Sequence, residues 1–296
     1  MKNIIVFLNG TRGLQVVEEL KKSSHEILKC VIPIEKKFNA VQKLIKKIGF
    51  ECLRIENVND KDIILNLKKL NPELFIIAGY STIFKKDLVN LPKKGTINLH
   101  AGRLPEYRGG SPLNWQIING EKIAVISVIK ADEQIDTGVI LKESEIKIEE
   151  TMDINDLHNQ ANKVFPRLVK DLLDSIDKKE KLNNRIQNNK NASYWHQRND
   201  NDGYLNFSKV DAKYACRFVR ALTFPYPGAW AMLNQNKVRI FKIEIPKFKL
   251  CGAPGRICYV QNKGPYVICK DRAVLIQEYK IEKKNKTLLK QGDYLT

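Results

Sequence analysis

The stretch Ile4-Ile5-Val6-Phe7-Leu8-Asn9-Gly10 decides the fold class of this chain. Its first five residues form a continuous apolar run, which is typical of a strand covered on both faces of a parallel sheet. Leu14, Val16, Val17 and Leu20 follow at helical spacing. A buried strand that leads directly into an amphipathic helix predicts the first half of a βαβ unit.

The same alternation continues to residue 99. Strands are predicted over residues 4–8, 28–34, 52–55, 74–78 and 95–99, with helices over 40–48 and 63–70 and a short helix near Leu88. This pattern predicts a Rossmann-like, mostly parallel α/β sheet with functional side chains at the carboxyl ends of its strands. The first turn, Asn9-Gly10-Thr11-Arg12-Gly13, lacks the G-x-G-x-x-G spacing, so dinucleotide binding is disfavoured.

The second half of the chain predicts a smaller domain. Residues 177–191 are rich in Lys, Asn, Glu and Gln and have few apolar side chains, which indicates a linker after a long helix over 154–173. A helix over 211–222 and short strands over 229–233, 238–245, 256–260, 266–269 and 273–279 predict a small OB-like β-barrel. The predicted organisation is a Rossmann-like domain over 1–176, a linker over 177–200 and a small barrel domain over 201–296.

The composition is that of an ordinary globular protein. With 296 residues, 43% of them hydrophobic and 28% charged, the chain can bury a stable core without disulfide bonds or metal ions. No apolar run approaches the ~20 residues that span a bilayer, and the N-terminal run breaks too early for a signal peptide. We therefore expect a cytoplasmic protein with no membrane partner. Its six cysteines include no C-x-x-C pair, so no metal site is expected.

The net charge of +18 raises the question of nucleic-acid binding. Of the 51 basic residues, however, only 12 are arginines. Lysine is a solvated point charge, whereas the arginine fork is the better reader of phosphate. The charge therefore favours attraction to anionic substrates in general and does not establish RNA binding.

Two polar side chains lie at the end of the fifth predicted strand. Because Asn98 and His100 are two residues apart on a strand, they face one side of the sheet while Ile97 and Leu99 face the other. A single histidine in such a place is more often structural than catalytic, and Asp136-Thr137-Gly138 alone would predict only a turn. Together, an amide, an imidazole and a carboxylate can stabilise an oxyanion and move a proton.

These motifs occur in a recognisable order. Along the chain come Asn98-Leu99-His100, Leu104-Pro105-Glu106-Tyr107-Arg108-Gly109, Pro112-Leu113-Asn114-Trp115, Asp136-Thr137-Gly138 and Pro225-Tyr226-Pro227-Gly228-Ala229. In this order they resemble the formyltransferase family that uses 10-formyltetrahydrofolate, and the resemblance covers nearly the whole chain. It implies an enzyme with 10-formyltetrahydrofolate as formyl donor.

The resemblance also implies roles for individual residues. Asn98 would donate its amide to the developing oxyanion, His100 would act as general base or proton shuttle, and Asp136 would orient His100. The family binds its folate where the strand ending near Ala78 opens. Candidates for the pterin-side wall are backbone groups of Gly79, Tyr80, Ser81 and Ile83.

Three further residues are candidates for substrate contact. Arg108 could pair with a substrate phosphate or brace its loop, and the sequence does not separate these roles. Gly109 follows it in the same motif. Trp115 could stack on an acceptor base, although a tryptophan on the helix after Pro112 more often belongs to a core.

The acceptor amine separates the members of this family. Glycinamide ribonucleotide formyltransferases resemble only the N-terminal half of the chain. Methionyl-tRNA formyltransferases have both domains, but they normally open with a Gly-Thr-Pro-Glu-Phe turn and carry a basic insertion after it. This chain has Gly10-Thr11-Arg12-Gly13-Leu14 and proceeds quickly to the next strand. Its closest resemblance is to sugar N-formyltransferases of the type that modifies UDP-4-amino-4-deoxy-arabinose.

We therefore predict formyl transfer to the amine of a UDP- or dTDP-linked amino sugar, for lipopolysaccharide or another surface polysaccharide or glycan. Methionyl-tRNA formyltransferase is the alternative, and only that reading makes tRNA a partner. A formyltetrahydrofolate hydrolase and a non-catalytic RNA-binding protein are further alternatives; the intact Asn98, His100 and Asp136 argue against the latter. A homodimer could form through a sheet edge or the barrel, but one chain does not indicate it.

Overall fold

In the computed structural model, which describes residues 1–282 and 288–296, β1 (Ile4–Leu8) is buried along its whole length. The helix α1 (Thr11–Lys21) packs closely against this strand. A Cβ on Gly13 would lie 2.2 Å from the Leu8 Cβ, so glycine at this position permits the close approach. The predicted strand–helix unit is confirmed, and close packing explains the second glycine of the first turn.

The remaining elements follow in chain order. The strands after β1 are β2 (Ile27–Pro33), β3 (Cys52–Ile55), β4 (Leu74–Ala78), β5 (Thr96–His100), β6 (Arg108–Gly109), β7 (Ile123–Lys130), β8 (Ile140–Lys147), β9 (Tyr194–Trp195), β10 (Ala229–Leu233), β11 (Asn236–Glu244), β12 (Ile257–Val260), β13 (Lys263–Ile268) and β14 (Ala273–Ile281). The helices after α1 are α2 (Asn39–Ile48), α3 (Lys61–Lys69), α4 (Lys86–Val89), α5 (Pro112–Ile118), α6 (Ile154–Asp177) and α7 (Ala212–Leu222).

Seven strands form the larger sheet, in the order β3-β2-β1-β4-β5-β7-β8. The pairs from β3 to β5 are parallel, and β7 runs antiparallel to β5. The order reverses between β1 and β4, and the crevice beyond the carboxyl ends of strands at such a point is where ligands bind in open α/β sheets. The predicted Rossmann-like, mostly parallel sheet is confirmed.

The observed β5 differs from the predicted strand by one residue at each end. Its pairing with β7 places Asn98 opposite Ile129 and His100 opposite Ser127. The strand therefore extends through His100, because the antiparallel neighbour continues to supply backbone partners there. Asn98 and His100 therefore both lie within the regular strand, whose pleat fixes the direction of their side chains.

The chain divides into two compact units that alternate along the sequence. The first comprises Met1–Gly109, Val125–Ile146 and Asn159–Trp195, and the second comprises Gly110–Ala124, Lys147–His158 and His196–Thr296. Across the described residues, no helix combines the length and apolar character that crossing a bilayer requires.

The second unit contains an antiparallel sheet in the order β10-β11-β14-β13-β12. Its two edges are joined by the C-terminal residues. Thr296 exchanges two backbone hydrogen bonds with Met232 of β10, and Leu295 donates to the Gly255 carbonyl beside β12. This segment pairs with both edges and closes the sheet, as the predicted small barrel requires.

Candidate active site

The strand β5 directs Asn98 and His100 toward a single carboxylate, that of Asp136. His100 is 5% exposed and the Asp136 side chain 11% exposed. In an environment so poor in water, charges and hydrogen bonds act more strongly than at a surface. The structure thus brings together the amide, imidazole and carboxylate that the sequence singled out.

Asp136 lies in the loop between β7 and β8, and two features fix its backbone. Its φ of +54° is in the left-handed region, which aspartate tolerates better than most residues. A Cβ on Gly138 would lie 1.7 Å from the Lys130 carbonyl oxygen, so only glycine fits there. The Thr137 hydroxyl donates to the Asp132 carboxylate at 2.7 Å. The Asp-Thr-Gly turn therefore aims its carboxylate inward.

The two oxygens of this carboxylate have different partners. Oδ1 accepts a hydrogen bond from Asn98 Nδ2 at 3.1 Å. Oδ2 accepts one from the Gly109 backbone N–H at 2.9 Å and lies 3.3 Å from His100 Nδ1. One carboxylate therefore organises an amide and an imidazole from β5 and a backbone amide from Gly109.

The second ring nitrogen of His100 also faces an oxygen. Nε2 lies 2.6 Å from the Tyr107 carbonyl oxygen. Because a carbonyl only accepts hydrogen bonds, Nε2 carries the hydrogen in this arrangement. Nδ1 faces the Asp136 carboxylate on the opposite side of the ring. Both ring nitrogens of His100 therefore face oxygen atoms of the protein, Nδ1 that of Asp136 and Nε2 that of Tyr107.

The loop over residues 104–109 contacts His100 and Asp136. It supplies the Tyr107 carbonyl to His100 and the Gly109 N–H to Asp136. The loop is itself tied to β9: Arg108 and Gly109 pair with Tyr194 and Trp195, and the Tyr107 ring stacks on the Trp195 ring at 5.6 Å. Gly109, a predicted substrate contact, thus positions Asp136.

The contacts of Arg108 favour the bracing role, which the sequence left open beside a substrate contact. It is 2% exposed. Its guanidinium donates to Gln187 Oε1 from Nε at 3.1 Å and from Nη2 at 2.9 Å, and also to the Tyr194 hydroxyl and Asn189 Oδ1. These partners engage the guanidinium within the protein, which is what a brace of the loop requires.

The predicted folate wall follows β4. Gly79 takes a φ of +84°, Ser81 is exposed and the Ile83 side chain is 56% exposed. Asn59 holds this loop by donating to the Ile83 carbonyl at 2.9 Å. The Tyr80 ring is buried in the core, and burial raises the pKa of its phenol to about 12. The ring of Tyr80 therefore belongs to the core, and contact of its backbone with the folate stays a prediction.

Trp115 belongs to the second unit. Its Nε1 donates to the His196 carbonyl at 3.2 Å, and the Arg198 guanidinium covers its ring at 4.7 Å from the centroid. Within that unit these contacts hold the indole ring, and its predicted stacking on an acceptor stays a prediction.

One residue of this network has no signal in the sequence. Gln187 lies within the predicted linker, in a polar stretch without motif or periodicity. In the structure it is 7% exposed and hydrogen-bonded on one side to Arg108 and on the other to the Asp136 loop. Low apolar content indicated solvent exposure, and a single buried amide within such a stretch cannot be recognised from composition.

Two family models cover most of the chain. The formyl transferase model matches residues 2–171, and the model of the formyl transferase C-terminal domain matches residues 198–291. The chain belongs to the formyl transferase family, whose members are enzymes that transfer formyl groups and use 10-formyltetrahydrofolate as donor.

Several relatives carry more particular names. A methionyl-tRNA formyltransferase of Thermodesulfovibrio yellowstonii is 35% identical over 74% of this chain and 70% of its own. The bifunctional polymyxin resistance protein ArnA of Wigglesworthia glossinidia brevipalpis is 33% identical over 81% of this chain, which spans only 36% of ArnA. The N-formyltransferase from Helicobacter canadensis, solved with folinic acid and dTDP-3-aminofucose, shares the fold at a TM-score of 0.67 over 94% of this chain and 99% of its own, at 18% identity.

Proposed function

We propose that this protein transfers the formyl group of 10-formyltetrahydrofolate to the amine of a nucleotide-linked amino sugar, with UDP or dTDP as the nucleotide. The observation that carries the chemistry is the Asp136 carboxylate shared by Asn98, His100 and Gly109. When bound, 10-formyltetrahydrofolate supplies the carbon that the amine attacks.

Asn98 stabilises the negative charge that develops on the formyl oxygen. An amide nitrogen carries two hydrogens, and the hydrogen bond to Asp136 Oδ1 uses one of them. That bond fixes the rotation of the amide, so the second hydrogen is aimed before the reaction begins. Removal of such a preorganised donor typically costs ~10²–10³ in rate.

His100 moves the proton that the attacking amine loses. In the resting arrangement Nε2 carries the hydrogen, so His100 acts as a base in the other tautomer, whose hydrogen is on Nδ1 and faces Asp136 Oδ2. In that tautomer Nε2 leaves the Tyr107 carbonyl and accepts the proton of the amine. The ring then passes this proton to the folate nitrogen, whose bond to the formyl carbon breaks. Asp136, whose Oδ2 lies 3.3 Å from Nδ1, orients the imidazole ring for this transfer. Asn98, His100 and Asp136 are therefore our proposed catalytic residues.

The loop after β4 suits the folate. Ile77 of β4 is opposite Asn98 of β5, so this loop begins beside the end of β5. Adjacent strands are about 4.8 Å apart, which brings the two within reach of one ligand. The exposed Ile83 side chain offers apolar contact to a flat ring, and Gly79 and Ser81 offer backbone groups.

The choice of a sugar rests on what this chain lacks relative to methionyl-tRNA formyltransferases, which carry a basic insertion after the first turn. Here residues 22–26 connect α1 to β2, and residues 34–38 connect β2 to α2. Neither connection has room for a long tRNA-binding loop. The resemblance to ArnA and the shared fold with a dTDP-aminosugar enzyme add support.

Methionyl-tRNA is the second candidate acceptor. The relative of 35% identity and the net charge of +18 favour it. Both candidates use the same site chemistry, so only the acceptor distinguishes them.

The test measures release of tetrahydrofolate from 10-formyltetrahydrofolate with UDP- and dTDP-linked 3- and 4-amino sugars, methionyl-tRNA, or no acceptor. Sugar-dependent release, absent in the Asp136→Asn protein, is expected. Release only with methionyl-tRNA would replace the proposal with the second candidate. Release without any acceptor would indicate a hydrolase.

A further inference from the structure

We infer that Gln187 is a positioning residue for formyl transfer, acting through Asp136. The inference rests on the proposed function for its kinetic consequence and on the geometry of one amide for its physical basis. Gln187 is 7% exposed, and the nitrogen and oxygen of its side-chain amide bind different parts of the protein.

The nitrogen end of the amide holds the catalytic loop. Gln187 Nε2 donates to the Asp136 carbonyl at 2.8 Å and to the Gly138 carbonyl at 2.7 Å. These two bonds use both hydrogens of the amide and fasten the backbone on either side of Thr137. Asp136 is the residue of this turn with positive φ, a conformation that costs energy and persists only where its surroundings impose it.

The oxygen end is fixed by Arg108. Gln187 Oε1 accepts from Arg108 Nε at 3.1 Å and Nη2 at 2.9 Å. This double contact fixes the amide orientation, because only oxygen can face the guanidinium. The nitrogen must then face Asp136 and Gly138. Arg108 is anchored in turn by Tyr194 and Asn189, so the segment around β9 carries the brace.

The consequence for chemistry follows from the carboxylate. Its two oxygens bind Asn98, Gly109 and, at 3.3 Å, His100. If the Asp136 turn moved by about 1 Å, the carboxylate would lose these contacts. A displacement of this size can lower the rate about 10²-fold. Loss of the Gln187 nitrogen bonds should therefore lower kcat and leave substrate affinity nearly unchanged.

Two substitutions separate positioning of Asp136 from bracing of Arg108. Gln187→Glu keeps oxygen acceptors for Arg108 but removes the donors to Asp136 and Gly138. Gln187→Met removes both sets. Asn184→Asp, an exposed amide-to-acid change three residues away, is the matched control.

The experiment measures kcat, KM and hydrogen exchange of the Gly109 amide, which is bonded to the Asp136 carboxylate in the intact site. We expect both Gln187 variants to lose about 10- to 100-fold in kcat, with KM within about threefold, and to lose Gly109 protection. In the Asp136→Asn background, Gln187→Glu should cost no further kcat, because both act through one group.

Wild-type kcat and Gly109 protection in Gln187→Glu would overturn the inference, since bracing of Arg108 alone would then suffice. An additive loss in the double variant would also overturn it. If no acceptor supports turnover, the proposed function fails, but Gly109 exchange in the folded Gln187→Glu protein still decides whether Gln187 holds the Asp136 turn.

Discussion

At Asp136, replacing a single oxygen is enough to test the site. Asp136→Asn keeps the shape of the side chain but turns one acceptor into a donor, which must then face either Asn98 Nδ2 or the Gly109 N–H. It also removes the negative charge beside His100. We expect kcat to fall by at least ~10² with the fold intact.

Steady-state kinetics with circular dichroism check this expectation. The control is Asp87→Asn, the same change at an exposed residue of α4, which should keep wild-type kcat. A folded Asp136→Asn protein with near-normal kcat would remove Asp136 from the mechanism.

The position of Gly138 leaves no room for a side chain. An alanine Cβ at this position would sit 1.7 Å from the Lys130 carbonyl oxygen, so the turn must move. We expect Gly138→Ala to lower Tm by roughly 5 °C, the shift expected for a loss of about 2 kcal/mol. Gly10→Ala is the matched control, because a Cβ there meets nothing within 4 Å. Equal melting temperatures for the two variants would refute the steric argument.

At the scale of elements, the C-terminal residues complete the barrel. Leu295 is 2% exposed, and its backbone bonds to Gly255 beside β12. Leu295→Ala should cost about 2–5 kcal/mol, whereas Leu288→Ala, at 72% exposure, should cost less than about 0.5 kcal/mol. Denaturant unfolding measures both. A similar small loss for each would mean that the buried Leu295 side chain does not contribute to the stability of the barrel.

The elements also mark what a sequence can predict. Strands β1 and β4 were predictable because five consecutive apolar residues fit only a strand buried on both faces. The two-residue strands β6 and β9 were not, because neither has a periodic pattern and their pairing joins residues 86 positions apart. The brace at Gln187 depends on that pairing, which explains why composition alone predicted a linker there.

At the site, the residues that carry reactive groups could be predicted from the sequence, but the hydrogen-bond partners of Arg108 could not. Asn98, His100 and Asp136 carried reactive groups in a known order, and the structure brings them together. Arg108 carried an equally suggestive group, yet its role depends on Gln187, Asn189 and Tyr194, which the sequence places far away. A charged side chain reveals its function only once its partners are known.

For the whole molecule, the formal charge of +18 should act mainly on capture of the acceptor. A nucleotide-linked sugar carries a diphosphate, and a positive field raises its encounter rate. The Debye length shortens from about 10 Å at 0.1 M salt to about 3 Å at 1 M, so this attraction is screened as salt increases. In the proposed mechanism, bond formation occurs after capture, within the buried cluster of Asn98, His100 and Asp136, where screening is weak.

We therefore expect kcat/KM for the nucleotide-linked sugar to fall about threefold or more between roughly 0.05 and 0.5 M salt, with kcat changing less than about twofold. The same amino sugar without its diphosphate is the control and should show a nearly flat kcat/KM. A flat response for both would mean that the lysines serve solubility alone. A fall in kcat for both would instead place a salt-sensitive step within the site, and the buried position of His100 argues against that outcome.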